Sequence, residues 1–220
     1  HETLGRRTGN GLRPPHETQG VKPSEMSYPD GPANRLADDC RRCPALCYSR
    51  ERIVWGVGPT DAEVVVVGEA PAAGDPEADR WQGGNLTGKA YTSRASGRAV
   101  RALIADAGAD PAYYTNAVKC HPEGNRDPTA DEREHCRSWL ARELRSVDPD
   151  VILPTGKHAT LSVFALADES LDGFLDSVLE PRETAYGTVI PLLHPSYQAV
   201  WLSRLDHTRE SYVGVLRELL

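Results

Sequence analysis

The chain has 220 residues, a formal net charge of −7, 39% hydrophobic residues and a mean hydropathy of −0.49. That length allows one domain with a sizeable core, and no apolar run approaches the roughly 18 residues a transmembrane helix needs. Acidic balance argues mildly against nucleic acid, whose phosphates draw on Lys and Arg; Lys22, Lys89, Lys119 and Lys157 are the only lysines among 25 basic residues, which leaves room for a local basic patch.

Residues 1–35 are rich in Gly, Pro, Arg and Thr and read as a disordered or tag-like lead, without the charged-then-apolar pattern of a secretory signal. Residues 36–220 read as a single domain. A short helix is expected near Ala45–Arg52. Val64-Val65-Val66-Val67 is a β-branched run of the kind found in strands buried on both faces. It stops at Gly68, and Glu69 and Pro71 follow at once. In open α/β sheets ligands bind outside the carboxyl ends of strands, which is where Glu69 falls. The loop 72–89 is long enough to suggest a function. Val100, Leu103, Ile104 and Ala107 then have helical spacing, with Gly108 as the stop.

A second strand is expected near Tyr113–Val118. Thr129 to Glu132 is a capping box opening a helix whose apolar face runs Cys136, Trp139 or Leu140, Leu144 and Val147. Val151–Pro154 is a third strand, followed by a helix from about Lys157 to Leu166. Thr188–Leu193 is a fourth, ending in His194-Pro195-Ser196. One C-terminal helix carries Leu205, Tyr212, Val215, Leu216 and Leu219. Strands alternating with helices imply a three-layer α/β/α sandwich on a central, mostly parallel four-stranded sheet. Three strands end in Glu69, Asn116 and His194, and polar side chains gathered at one sheet edge make a candidate site.

Five cysteines in a chain without a visible leader favour ligation over a disulfide framework and an intracellular, cytoplasmic setting. Cys40 and Cys43 form a C-x2-C pair; Cys120 and Cys136 stand 16 positions apart. Spacing alone leaves zinc, a [4Fe–4S] cluster and buried free thiols open. Cys47 fits no pattern and reads as a small core residue.

Gly68-Glu69-Ala70-Pro71, the run Thr115-Asn116-Ala117-Val118-Lys119-Cys120 with Pro122, the run Gly124-Asn125-Arg126-Asp127-Pro128-Thr129 with Cys136, and His194-Pro195-Ser196 resemble, in order and spacing, the family 4 uracil-DNA glycosylases. Ala70-Pro71-Ala72-Ala73, Gly83-Gly84-Asn85 through Thr87-Gly88-Lys89, and Ser96-Gly97 resemble family 5. The resemblance spans roughly residues 38 to 200, and the chain mixes both patterns. It departs from them at Ala72, where family 4 has Gly; at Tyr91, where both have Phe; at Arg94, near which family 5 has Asp; and in an insertion, Gly74–Gln82. Glu69 is then the one motif carboxylate expected at the site.

The resemblance implies a uracil-DNA glycosylase fold, base flipping and N-glycosidic hydrolysis in base-excision repair, with uracil-containing DNA as partner. It implies a [4Fe–4S] cluster on Cys40, Cys43, Cys120 and Cys136. Glu69 would position water, His194 stabilise the leaving base and Asn116 read it. Tyr91 would stack on it, with Gly68, Ala70 and Ser196 also against it. Pro195, Tyr197 and Gln198 would enter the minor groove, and Arg94, Lys119 and Arg126 would meet phosphates. A monomer at the nucleoid is expected. Competing readings are an iron–sulfur redox or electron-transfer protein and a catalytically silent nucleic-acid-binding module.

Overall fold

The computed structural model describes residues 20–220. Five strands lie in the order β2-β1-β3-β5-β4: β1 Val64–Gly68, β2 Tyr113–Asn116, β3 Val151–Pro154, β4 Arg182–Thr184 and β5 Gly187–Val189. β2, β1, β3 and β5 are parallel, and β4 pairs antiparallel with β5. The helices are α1 Pro44–Ser49, α2 Gly84–Thr87, α3 Ser96–Ala107, α4 Ala130–Val147, α5 Lys157–Leu166, α6 Pro195–Trp201 and α7 Arg209–Leu219.

Every residue of β1 is buried, as its uninterrupted valines predict. Side chains alternate across a strand, so Val64 and Val66 pack with Val100, Leu103 and Ile104 of α3 and Tyr212 and Leu216 of α7. Val65 and Val67 pack on the other face with Leu140 and Leu144 of α4 and Val163 and Phe164 of α5. That is the expected three-layer sandwich. α3 stops at Gly108, whose φ of 83° is left-handed, and α4 opens on the complete Thr129–Glu132 capping box. Leu140, rather than Trp139, takes the buried position on α4.

Two expectations are corrected. The sheet has five strands instead of four. Arg182-Glu183-Thr184 is largely exposed and has no apolar alternation, so nothing in the pattern marked it; its polarity suits an edge strand. The C-terminal helix, α7, starts only at Arg209, so Leu205 falls outside it in a 3-10 turn followed by Asp206 at φ 55°, and α6 before that turn is a helix the sequence did not announce. Thr208 and Ser211 then cap α7 reciprocally.

Residues 1–19 of the expected lead lie outside the described residues. The remainder docks on the domain. Val21 N donates to Asp106 Oδ1 at 2.5 Å, Tyr28 meets the Trp81 ring edge-on at 5.4 Å, and Asn34 N donates to the Gly56 carbonyl at 2.8 Å. Among the described residues, no helix is long and apolar enough to cross a membrane.

Lys119 is not a phosphate contact. It is 1% exposed and ion-paired with Glu143, which is fully buried. Its Nζ also donates to Thr115 Oγ1 at 2.8 Å and to the Asn116 carbonyl at 2.5 Å. Glu143 in turn accepts from Gly56 N at 2.9 Å and Thr115 Oγ1 at 2.5 Å. Removing one partner of a buried pair leaves an uncompensated charge. Lys119→Met should therefore cost about 3–5 kcal/mol in urea denaturation. Arg137→Ala, which breaks the exposed pair with Glu134, should cost less than about 1 kcal/mol.

Candidate active site

β1 and β2 end side by side, with Gly68 paired to Asn116, and Thr155 N continues the ladder to the Val67 carbonyl at 2.8 Å. The carboxyl ends of the strands thus open together into a cavity of about 760 Å³. Glu69, Asn116 and His194 all line it, with Gly68, Ala70, Tyr91 and Ser196. The sheet edge does bring the three expected polar groups to one place. Phe174, Leu175 and Trp201 supply apolar wall.

Gly68 is what lets the floor close. A Cβ there would collide with Asn116 Oδ1 and come within 2.9 Å of the Tyr91 hydroxyl. Tyr91 itself holds a left-handed φ of 53°, a costly conformation for a bulky residue and one found at functional sites. Its ring meets Tyr114 edge-on at 5.7 Å. The hydroxyl that distinguishes it from Phe is bonded to Thr155 Oγ1 at 2.6 Å, and burial raises its pKa.

His194 precedes Pro195 and has the extended backbone (φ −65°, ψ 138°) that a following proline imposes. Its Nδ1 accepts the Ser196 amide at 3.3 Å. A nitrogen that accepts carries no proton, so the neutral ring bears its hydrogen on Nε2. Burial holds the imidazole's pKa below its ordinary value, which favours that neutral form.

Glu69 has company that the sequence reading did not give it. Ligand-type atoms of Glu69, Asp127 and His158 lie within 4.8 Å of one another, so Glu69 is not the sole carboxylate at the site. Burial raises the Glu69 pKa; His158 and Arg133 oppose that rise and Asp127 adds to it. Asn125 Oδ1 accepts the Ala73 amide at 2.7 Å, and His121 Nδ1 lies 3.0 Å from the Pro71 carbonyl, so the loop before α4 braces the one after β1. The Asn125 to Asp127 run was visible as a motif; His158, a lone histidine at a helix start, carried no signal.

Of the surface residues expected against DNA, Arg94 is exposed and Tyr197 is 60% exposed at the cavity mouth. Arg126 is instead held by both oxygens of Glu132, at 2.8 and 2.6 Å, and so serves the start of α4. Gln198 buries its Nε2 without a partner rather than presenting it outward.

Cys43, Cys120 and Cys136 pack with Leu46 and Val118. Burial pushes the Cys43 thiol up to about 12 and Cys120 to about 11, and Cys40 and the neighbouring thiols add to both. Cys136 is raised for the same reasons, against the Lys119 backbone N–H and charge. Cys120 Sγ also accepts from Arg50 Nη1 at 3.2 Å. Three buried or half-buried thiols of raised proton affinity, with Cys40 acting on each of them, suit a positively charged inorganic centre. They are not among the groups converging within 4.8 Å, where the described residues offer only Glu69, Asp127 and His158. Tetrahedral zinc would need sulfurs about 3.8 Å apart at a bond length of about 2.3 Å. Cys47 stands apart, its Sγ donating to the Cys40 carbonyl at 3.4 Å.

A carboxylate, an amide, an imidazole and an aromatic ring around one crevice at the carboxyl edge of a parallel sheet define an α/β enzyme class. The family model of the uracil DNA glycosylase superfamily matches residues 55–219, and the chain belongs to that superfamily. It is 36% identical over 131 residues to a type-4 uracil-DNA glycosylase of Archaeoglobus fulgidus, covering 59% of this chain and 60% of the relative. It is 34% identical to a type-4 enzyme of Thermotoga maritima (72% of this chain, 77% of the relative). It is also 34% identical to a type-5 enzyme of Pyrobaculum aerophilum (84% and 88%). Relatives of both types match at similar identity, in keeping with the mixed motifs.

The His194 tautomer is directly measurable. Nitrogen-15 NMR of the ring should show a neutral, Nε2-protonated imidazole at neutral pH, protonating only below the ordinary histidine pKa. An Nδ1-protonated ring would contradict the Ser196 hydrogen bond.

Proposed function

We propose that this protein is a uracil-DNA glycosylase that flips uracil from DNA and hydrolyses its N-glycosidic bond, leaving an abasic site. The observation that carries this reading is the meeting of Glu69, Asn116 and His194 on one cavity in a chain of this superfamily. The scissile bond is inaccessible within a duplex, so the base must leave the stack. Tyr91 offers it an aromatic face. Asn116 accepts from uracil N3–H and donates to O4, and Lys119 on its carbonyl steadies the strand end that carries it. As the bond breaks, the sugar becomes cationic and charge gathers on uracil N1 and O2. Glu69 faces the sugar and orients water towards C1′, while His194 Nε2–H donates to O2, where the developing charge makes that bond strongest.

Tyr197, with Pro195 and Ser196, approaches the minor groove and holds the space the base leaves, and Arg94 meets phosphate. One chain carries the whole site, so the working unit is a monomer. It acts on uracil-containing DNA at the nucleoid.

Cys40, Cys43, Cys120 and Cys136 would hold a [4Fe–4S] cluster. Bound there, such a centre would add no redox step to a hydrolysis, and its four cysteines would tie the segment before α1 to the loop after β2 and to α4. The purified protein should be brown, Cys136→Ser should lose the colour and the iron, and Cys47→Ser should keep both. Stoichiometric zinc without iron would refute the assignment.

Incubation with a single-uracil oligonucleotide followed by alkaline cleavage tests the activity. Scission separates this reading from a redox protein or a silent binding module. Glu69→Gln should slow single turnover while sparing DNA binding. His194→Ala should cut the rate by about 10²–10³-fold, the usual worth of one donor on a developing oxyanion. A loss under about fivefold would remove His194 from that role.

A further inference from the structure

Glu69 stands among a fixed set of charged groups. Asp127 comes from the loop before α4, Arg133 from α4, and Lys157 and His158 from the start of α5; His194 lines the same cavity. Within that set the hydrogen bonds are directional. Arg133 Nη1 lies 3.4 Å from His158 Nδ1 and donates to the Pro128 carbonyl at 2.8 Å. A guanidinium only donates, so Nδ1 is the acceptor and the ring hydrogen of neutral His158 sits on Nε2. That Nε2 is 3.1 Å from Asp127 Oδ2, with a Glu69 oxygen inside the same 4.8 Å group.

We propose that His158, clamped between Arg133 and Asp127, is a positioning residue for Glu69, aiming its carboxylate into the cavity. The proposal rests on the reading of Glu69 as the water-orienting group. Without His158, two carboxylates would face each other with little to hold them in place, and Glu69, whose position decides where water stands, would turn away. Two carboxylates and an imidazole are also common ligands of a divalent cation. Arg133 argues against it. It occupies Nδ1 with a positive charge and leaves Nε2 protonated, so neither ring nitrogen offers a free lone pair. A dication beside C1′ would also oppose the cationic sugar of the proposed reaction.

Electrostatics give the pair a signature that simple packing lacks. Burial raises the Glu69 pKa, and the coulombic pull of His158, which the ring exerts on the acid side where an imidazole takes up its second proton, is the leading influence against that rise. Removing His158 therefore moves Glu69 protonation to higher pH, and the rate, which needs the carboxylate, fails earlier on acidification.

The test is single-turnover uracil excision from pH 5 to 9 by the full-length protein carrying its native metal centre. The variants are His158→Ala, His158→Gln, Glu69→Gln and the Glu69→Gln/His158→Ala pair. His158→Ala should lose about 10- to 100-fold at its plateau, the scale of a misplaced reactive group, and shift its acid limb upward, with DNA affinity unchanged. His158→Gln, whose amide can still donate, should recover most of the rate. In the Glu69→Gln background His158→Ala should cost little more. An unshifted acid limb, or losses that multiply in the pair, would overturn the proposal while leaving Glu69 in its role. A Glu69→Gln variant as fast as the wild type would instead remove the reading beneath it. Rates taken in EDTA should match those in added MnCl2; a manganese requirement lost with His158 would mean that the group holds a cation.

Discussion

The buried Lys119–Glu143 pair is the contact on which the rest of the structure hangs. Glu143 sits on α4 and gathers Gly56 N, Thr115 Oγ1 and the Lys119 ammonium, so three separate segments meet at one carboxylate. Lys119 lies between Asn116, which it holds by the carbonyl, and Cys120. The same helix carries Arg133 and Cys136 on its earlier turns. Desolvating two charges is expensive, and only several good hydrogen bonds make it tolerable. The pair has them. Its directionality does what apolar packing cannot: it fixes how far the end of β2 projects and how α4 lies against it.

Parallel pairing then converts that anchor into a site. Gly68 is paired with Asn116, and Val67 with Thr115 and Pro154, so the strands finish in step. Side chains beyond each end must share one crevice. The missing Cβ at Gly68 lets Asn116 and the Tyr91 hydroxyl reach the same point from two directions. Tyr91 pays for its place there with a left-handed backbone, held by Thr155 on its hydroxyl and by Arg101 Nε on its carbonyl at 3.0 Å.

What could be read from sequence follows from the range of each interaction. β1, α3 and α4 are legible because valine runs, 3.6-residue spacing and a capping box are local signals, and the convergence of Glu69 and Asn116 follows from strand ends; the strand expected over Thr188–Leu193 ends at Val189, and His194 joins them as the residue that opens α6, just past the Leu192 bridge to Thr155. β4 left no trace because an exposed edge strand needs no apolar pattern. The true start of α7 is hidden because the apolar spacing reaches back to Leu205 while the backbone turns at Asp206. Lys119 is opaque to sequence for a deeper reason. A lysine's usual place is solvent, and only its partner 24 residues on, in another layer of the fold, reverses that expectation. Asp127 and His158 are the same case: their meaning lies in a contact between two elements, 31 positions apart.

The polarity of the cavity has a consequence for the proposed reaction. Glu69 and Asp127 set two carboxylates on one wall, and His194 presents a neutral donor from another element. A glycosidic bond broken between them separates charge in the matching sense, cation towards the carboxylates and anion towards the imidazole. A protonated His194 would attract the anion more strongly, but it would have to be charged in a buried setting before any anion exists, and burial already disfavours that state. A neutral Nε2–H held in place by the Ser196 amide needs no such prior charging and little rearrangement as charge develops. Preorganisation and neutrality are therefore one feature of this histidine: the bond that fixes the ring's direction is the bond that assigns its proton to Nε2.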